Sequence, residues 1–146
     1  MDFMTALDVS ASGLTAERTQ LNVTAMNLAN AKTTRMPGDI GPYRRKAVVK
    51  EVSDLDNPFG KHMQTALDRQ VKGVKVVGIA TDERPNKRVY EPGHPDADEE
   101  GYVLYPDINV VEEMAMMMTA QRNYDANTTA IDTIKAMYTK ALEIGR

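Results

Sequence analysis

Hydrophobic residues recur with helical spacing near the start of the chain. Leucine occupies every seventh position there, at Leu7, Leu14, Leu21 and Leu28. Because seven residues make two turns of an α-helix, these leucines share one stripe, and the pattern predicts a helix from about Asp2 to about Ala31. The helix would be roughly 45 Å long at the standard rise per residue.

The C-terminal segment carries two rows of the same period. One row consists of Met117, Tyr124, Ile131 and Tyr138, and the other of Ala120, Asn127, Ile134 and Ala141. Two mainly apolar rows at heptad positions are typical of a helix that packs as in a coiled coil. The plainly polar member is Asn127. It either fixes register and partner number or lies on a solvated helix edge.

Methionine is concentrated where this C-terminal pattern begins, at Met114, Met116, Met117 and Met118. The preceding Glu112 and Glu113 suit the positive end of a helix dipole. Four methionines within five residues point to more than one side of a helix, so a single buried stripe cannot accommodate all of them. We therefore expect these side chains to fill a core and the surplus to support contacts with partners.

Residues that break helices are confined to the middle of the chain. All seven prolines lie between positions 37 and 106, together with seven of the nine glycines. The β-branched segments Tyr43–Val52 and Val71–Thr81 predict two strands, and shorter strands are predicted at Arg88–Tyr90 and Tyr102–Tyr105. Such a small sheet covers one face at most and needs other elements to rest on.

These patterns predict an α+β fold with two parts. Residues 1–36 form an N-terminal helical arm and residues 107–146 a C-terminal helical arm with coiled-coil-like spacing. Residues 37–106 form a small central β-rich domain inserted between the arms. The N-terminal arm has few charges and is rich in alanine, threonine and asparagine, so we expect it to be covered by other elements.

Composition removes several classes of function. The formal net charge is −3, which lacks the basic excess that nucleic-acid binding needs. Cysteine is absent, which excludes disulfides and thiolate chemistry. No stretch is long and apolar enough to span a membrane. Asp2 and Asp8 interrupt the positions where a signal peptide needs basic and then apolar residues, so a protein of this sequence that works outside the cytoplasm would leave by a route that does not read a cleaved signal.

The acidic segment 94–100 offers two alternative functions. Its His94, Asp96, Asp98 and Glu100 suggest a small metal-binding or metal-dependent hydrolytic protein, although the spacing does not match a calcium loop and a solvated hairpin tip is the simpler interpretation. The tripeptide His94-Pro95-Asp96 also occurs in J-domain co-chaperones, but between helices rather than strands. We expect no catalytic residues, no metal and no cofactor.

Two runs of residues resemble the bacterial flagellar rod and hook proteins. The first comprises Ser12-Gly13-Leu14-Thr15-Ala16-Glu17-Arg18 and Asn27-Leu28-Ala29-Asn30-Ala31-Lys32-Thr33-Thr34. The second runs from Tyr90 through Pro92-Gly93-His94-Pro95-Asp96 and Gly101-Tyr102 to Glu113-Met114, and it is similar to the proximal rod members of that family. Together with Gly41-Pro42-Tyr43-Arg44-Arg45, the resemblance covers nearly the whole chain.

The resemblance implies a structural subunit of the flagellar basal-body rod. It also implies that the two helical arms, residues 1–36 and 107–146, pair in a discontinuous inner domain. Because their apolar seams are only half-formed, we expect the arms to become ordered as neighbouring subunits cover them. Such a subunit is exported through the flagellar type III apparatus and assembles in the periplasm into a hollow helical tube that transmits torque and conducts exported subunits. Its partners would be copies of itself, other rod proteins and the export apparatus, with possible contacts to ring or bushing proteins. Nucleic acid and small-molecule substrates are not expected.

The resulting expectations can be placed on particular residues. The predicted assembly interface comprises Leu7, Leu14, Leu21, Asn27, Leu28, Asn30, Met117, Tyr124, Asn127, Ile131, Ile134 and Tyr138. The family motif of the central domain comprises Pro92, Gly93, His94, Pro95, Asp96, Gly101 and Tyr102. We expect the leucine row to pack against the Met117 row or its copies in adjacent subunits. The two asparagine amides would satisfy unpaired backbone groups near the end of the first helix.

Overall fold

A computed structural model describes residues 3–38, 41–54 and 71–145 of the chain. Two long helices stand at the ends and four strands lie between them, in the order α1 (Phe3–Ala29), β1 (Lys46–Asp54), β2 (Lys72–Thr81), β3 (Lys87–Tyr90), β4 (Tyr102–Tyr105) and α2 (Val110–Ile144). The α+β class and the terminal helices are confirmed. All four predicted strands are present with boundaries shifted by a few residues at most, and β4 matches its predicted boundaries.

Helix α1 tolerates its many hydroxyl side chains because they bond within the helix. Ser10, Thr15, Thr19 and Thr24 each donate to the carbonyl oxygen four residues earlier, at 2.7 to 3.0 Å. Such bonds satisfy a hydroxyl without a partner from outside the helix. The helix ends before Asn30, whose side-chain Nδ2 donates to the Met26 carbonyl at 2.9 Å. The same carbonyl also accepts from the Asn30 backbone amide at 3.1 Å, so the Asn30 side chain adds a second bond to a group that is already paired.

Helix α2 begins at a conventional N-cap. The Asn109 side-chain Oδ1 accepts a hydrogen bond from the Val111 amide at 3.1 Å, and the Asn109 carbonyl accepts one from the Glu113 amide at 3.0 Å. Glu112 and Glu113 follow in the first turn, where the helix dipole favours negative charge. The Asn109 cap therefore fixes the start of α2 through the local sequence.

Strands β1 and β2 form one two-stranded sheet, and β3 and β4 form another. At one end of the first sheet the Asp82 amide donates to the Arg45 carbonyl at 2.8 Å, and at the other end Lys72 pairs with Asp54 at 3.3 Å. These contacts require β1 and β2 to run antiparallel. Many of the apolar side chains of this sheet are exposed, as the small size of the predicted sheet implied.

The connection between β3 and β4 is organised by Asp98. Its Oδ1 accepts from the Tyr102 amide at 2.8 Å and from the Glu100 amide at 3.1 Å. These bonds, the Tyr102 bond above all, lower the pKa of the Asp98 carboxyl, and Arg88 adds to the effect. Gly101 completes the turn with a φ of 82°, a left-handed conformation that side chains other than glycine rarely adopt.

The chain divides into two compact units. Unit 1 contains the described residues of 1–19, 49–78 and 119–146, and unit 2 contains those of 20–48 and 79–118. The buried apolar residues of unit 1 are Ala16, Ala120 and Ile134, and those of unit 2 are Val23, Tyr43, Val103 and Ile108. The division falls within α1, β1, β2 and α2, so each of these four elements contributes to both units.

We predict that Gly101→Ala destabilises unit 2 while Gly93→Ala does not. An added Cβ at Gly101 would lie 3.0 Å from Tyr90 Cε2 and 3.2 Å from Pro92 Cβ, and the positive φ adds backbone strain. The expected loss is about 1–2 kcal/mol of unfolding free energy in urea denaturation. Gly93 has open space around its Cα, which makes it the matched control. Equal urea midpoints for the two variants would contradict this account of the turn.

Candidate assembly interface

A group of buried polar side chains connects the end of α1, the start of β1 and the first turn of α2. Asn27, Tyr43, Arg45 and Glu113 form this group, which we call the polar clasp, and all four belong to unit 2. The Glu113 side chain is only 1% exposed, although it carries a charge. A buried carboxylate is tolerated only when charge and hydrogen bonds compensate it, so the contacts of Glu113 are decisive.

Glu113 is compensated by two partners. Arg45 Nε donates to Glu113 Oε1 at 2.7 Å, and Asn27 Nδ2 donates to Glu113 Oε2 at 3.1 Å. Arg45 Nη1 also lies 3.6 Å from an oxygen of Asp82. The pKa of the Asp82 carboxyl is lowered mainly by its hydrogen bonds with Arg84 and further by Arg45. Arg45 thus links the buried carboxylate to an accessible one.

The side-chain amide of Asn27 makes four hydrogen bonds and is completely buried. Its Nδ2 donates to the Lys46 carbonyl at 2.8 Å as well as to Glu113. Its Oδ1 accepts from the Lys46 amide at 2.9 Å and from the Tyr43 hydroxyl at 3.0 Å. An amide can make two donor and two acceptor bonds, so the set is complete. Asn27 therefore satisfies backbone groups of β1, where the sequence suggested groups at the helix end.

Tyr43 closes the clasp from the loop before β1. Burial raises the pKa of its hydroxyl above the ordinary value of about 10, and the nearby Glu113 carboxylate raises it further. The hydroxyl is therefore neutral at physiological pH and available as the donor to Asn27. Sequence reasoning identified neither Tyr43 as a partner of Asn27 nor Arg45 as a partner of Glu113, and 68 residues separate Arg45 from Glu113.

The residues of the two predicted heptad rows of α2 differ in how deeply they are buried. In α2 the deepest row is Glu113, Ala120, Asn127 and Ile134, the first two and the last being buried. Met117, Tyr124 and Ile131 flank it at half-buried positions, whereas Tyr138 is exposed and makes an edge-to-face contact with Phe3 at 5.9 Å. The second predicted row thus extends one heptad further back, to Glu113, which directly precedes the methionine cluster.

In α1 the leucine row is not the deepest one. Leu7, Leu14, Leu21 and Leu28 are all half-buried, while the buried positions of the helix are Ser10, Ala16, Val23, Thr24 and Asn27. Small residues permit close approach of another helix, and in unit 1 a Cβ on Gly13 would lie 2.9 Å from Asn127 Nδ2. Asn127 therefore lies against α1 and not on a solvated helix edge.

The central family motif connects two loops of unit 2. Asp96 Oδ2 accepts from the Thr34 hydroxyl at 2.8 Å, and Asp96 Oδ1 lies 3.8 Å from Arg35 Nη1. His94 Nδ1 accepts from the Asp96 amide at 3.1 Å. The remaining motif residues Pro92, Gly93, Pro95, Gly101 and Tyr102 form the connection that ends in β4. These contacts hold the loop after α1 in place and leave His94 in a structural position.

The described residues do not assemble the alternative sites. No three acidic, histidine or cysteine side chains in the described part of the chain converge as metal ligands. His94-Pro95-Asp96 follows β3 and precedes β4, without the antiparallel helices that flank it in co-chaperones. Neither described helix is both long and apolar enough to cross a lipid bilayer.

Comparison with known proteins assigns both ends of the chain to flagellar families. Residues 7–35 match the family described as flagella basal body rod protein, and residues 99–144 match the family described as flagellar basal body rod FlgEFG protein C-terminal. These two regions contain two of the four clasp residues, Asn27 and Glu113, whereas Tyr43 and Arg45 lie between them.

Several full-length relatives share one name, flagellar basal-body rod protein FlgC. The protein of that name from Borreliella burgdorferi is 40% identical over 151 residues, covering 99% of this chain and 98% of the relative. The Escherichia coli O6:H1 protein is 40% identical over 146 residues and covers both chains completely. The Bacillus subtilis protein is 40% identical over 151 residues and covers 97% of each chain.

We predict that Glu113→Gln lowers the unfolding free energy of the chain by about 3 kcal/mol, because it leaves Arg45 without its closest carboxylate. Urea denaturation measures the change. Glu112→Gln is the control, since Glu112 lies in the same helical turn but is exposed. If both variants unfold at the same urea concentration, the buried ion pair does not stabilise unit 2.

We also predict a stability loss at high pH that depends on Tyr43. The unfolded tyrosine has a pKa of about 10 and the folded one a higher pKa, so the stabilising contribution is complete below pH 10 and is lost as pH rises through the folded value. Tyr43→Phe lacks this titration. It should be about 1 kcal/mol less stable at pH 8, with a difference that shrinks above pH 10. A constant difference across that range would contradict the prediction.

Proposed function

This chain belongs to the family of flagellar basal-body rod proteins named FlgC, and on that basis we propose that it acts as a rod subunit that assembles through its two terminal helices. Proteins of this family are structural components of the rod. The observation that carries the proposal is the 40% identity to FlgC proteins over complete chains. Membership places the protein in the flagellar basal body and implies assembly with other rod components.

The exposed apolar surface of α2 supports the role of this helix in assembly. Val111, Met114 and Met118 lie three and four residues apart on one face of its first turns, and Met118 is 57% exposed. The positions that continue this face, Gln121 and Arg122, lie three and four residues after Met118 and are polar. Coverage of this stripe by another helix would be favourable because it removes apolar side chains from water. The flexible methionine side chain also adapts to different partner surfaces.

The end of α2 in unit 1 has a second apolar surface. Met137, Tyr138, Leu142 and Ile144 are exposed there, as are Phe3 and Met4 near the start of α1. In the described part of the chain, exposed large apolar residues outnumber buried apolar ones, nineteen to seven. We propose that neighbouring subunits cover these surfaces, and that the helices become fully ordered as they do so.

The predicted interface residues then have a shared function. We propose that the half-buried leucines of α1 and the Met117, Tyr124 and Ile131 positions of α2 contact both the partner helix and adjacent copies. Because such contacts repeat head to tail without closing, they generate an open helical tube. In this proposal the helical arms, residues 1–36 and 107–146, form the inner layer of that tube and residues 37–106 the outer layer.

The remaining proposals concern the subunit's route and contacts. We propose that the chain reaches the periplasm through the flagellar type III apparatus without a cleaved signal peptide. Ring or bushing proteins are further candidate contacts of the outer layer. We propose no catalytic activity, which agrees with the structural character of the family and with the structural contacts of His94 and Asp96.

We predict that Met118→Glu abolishes rod assembly and motility without unfolding the subunit. Met118 is exposed, so the substitution creates no buried charge in the isolated chain, whereas in an assembled interface the carboxylate would be desolvated without a partner. Swimming in soft agar and the recovery of rods from basal-body preparations measure assembly, and the urea midpoint measures folding.

Asn123→Glu is the control for this prediction. It places the same charge at an exposed position on another side of α2, and we expect its motility to be close to that of the parent strain. Normal rods in the Met118→Glu strain would exclude this stripe from the assembly interface.

A further inference from the structure

The outward face of the β3–β4 hairpin is unusually apolar. Tyr90 lies opposite Tyr102, and Arg88 lies opposite Leu104. The alternate pair, Val89 with Val103, belongs to the other face, which points inward because Val103 is buried. Tyr90 is 62% exposed and Leu104 48%. The solvent face of an antiparallel sheet is normally polar, so these side chains indicate a contact surface.

This face is held in a fixed arrangement by its own contacts. The Arg88 guanidinium lies 4.2 Å from the centre of the Tyr102 ring and bonds to Asp98 at 3.0 Å and to Glu100 at 2.8 Å. Tyr90 makes an edge-to-face contact with Tyr102 at 5.2 Å. Tyrosine and arginine are the residues that most often dominate binding energy at interfaces, and ordering them beforehand lowers the entropy cost of binding.

The outer edge of β4 offers backbone groups next to this face. The Glu91 amide donates to the Gly101 carbonyl at 2.9 Å, which sets the alternation of the ladder so that the amides and carbonyls of Tyr102 and Leu104 point away from β3. Both backbone groups of Tyr102 are already bonded to Asp98: the Tyr102 amide donates to Asp98 Oδ1, and the Tyr102 carbonyl accepts from the Asp98 amide. Within the described residues no strand pairs with β4 on this side, which leaves Leu104 as the position where an added segment can bond.

A groove of about 390 Å³ runs beside this edge. Its walls include Thr34, Pro42, Pro95, Asp96 and Leu104, all in unit 2. The neighbouring segment 91–100 contains five carboxylates and no lysine or arginine, at Glu91, Asp96, Asp98, Glu99 and Glu100. Arg35, which also lines the groove, pairs with Asp96, and Arg88 pairs with Asp98 and Glu100. The groove therefore combines partly apolar walls, one open backbone position at Leu104 and a neighbouring formal excess of three negative charges, since five carboxylates face two arginines. An extended, basic and apolar peptide is complementary to all three features.

We propose that this groove and the edge of β4 bind an extended segment of another protein, in which apolar side chains alternate with lysine or arginine. The segment would add to β4 through the Leu104 backbone, place an apolar side chain against Leu104 and Tyr102, and direct its basic side chains toward the carboxylates. The corresponding basic, β-branched stretches of this chain, at Lys46–Lys50 and Lys72–Lys75, are already paired in the β1–β2 sheet. Because these described stretches are already paired, we assign the segment to a different protein.

Titration of the full ¹⁵N-labelled chain with a capped peptide of alternating valine and lysine tests the proposal. We expect saturable shifts of the Tyr102 and Leu104 amide signals, slower hydrogen exchange at Leu104, and weaker binding at higher salt. A peptide with glutamate in place of lysine should bind at least about tenfold more weakly. Leu104→Lys should weaken binding of the lysine peptide by a similar factor, whereas Val77→Lys, at an exposed position of β2, should not.

Three outcomes would overturn the proposal. The first is the absence of shifts at Leu104 with millimolar lysine peptide, and the second is equal affinity for the glutamate peptide. The third is a set of shifts at Leu104 that grows with protein concentration when no peptide is present, because a second copy would then occupy the groove. None of these outcomes bears on assembly through the helices, which Met118→Glu tests separately.

Discussion

The buried carboxylate of Glu113 is the constraint on which the organisation of unit 2 depends. A charge with 1% exposure persists only where an opposite charge and hydrogen bonds surround it. Arg45 and Asn27 supply these, and each comes from a different element. The end of α1, the start of β1 and the first turn of α2 must therefore come together for any of the three to be stable there. This requirement selects one arrangement of these elements over looser apolar packing.

The clasp also explains the distribution of apolar surface along the helices. Polar and small residues occupy the deepest positions of α1, and the leucines flank them at half-buried positions. Apolar side chains such as Met114 and Met118 are left on the outside. Specificity within the subunit thus comes from hydrogen bonds and close helix approach, while much of the hydrophobic surface remains available for neighbouring subunits.

In the loops of unit 2, the central motif also uses polar side chains in hydrogen bonds that fix the backbone. Asp96 connects to Thr34, and Asp98 organises the turn that Gly101 completes. Histidine and carboxylates close together suggested metal or acid–base chemistry, but their atoms are used in hydrogen bonds that shape the loops. The resulting hairpin presents an ordered aromatic face to the outside, a surface that suits recognition of another protein.

The sequence by itself determined the elements and the family. Heptad spacing predicted both helices, proline placement separated them from the strands, and the motif residues identified the rod proteins, because these signals are local in the chain. Only the tertiary structure decided which positions are buried and what they contact. The helical period identifies the face on which the leucines lie but not how deeply they are buried. The structure places the leucine row at half-buried positions beside the buried residues of α1. The pairing of Glu113 with Arg45 joins residues that are distant in the chain, and no local pattern specifies it.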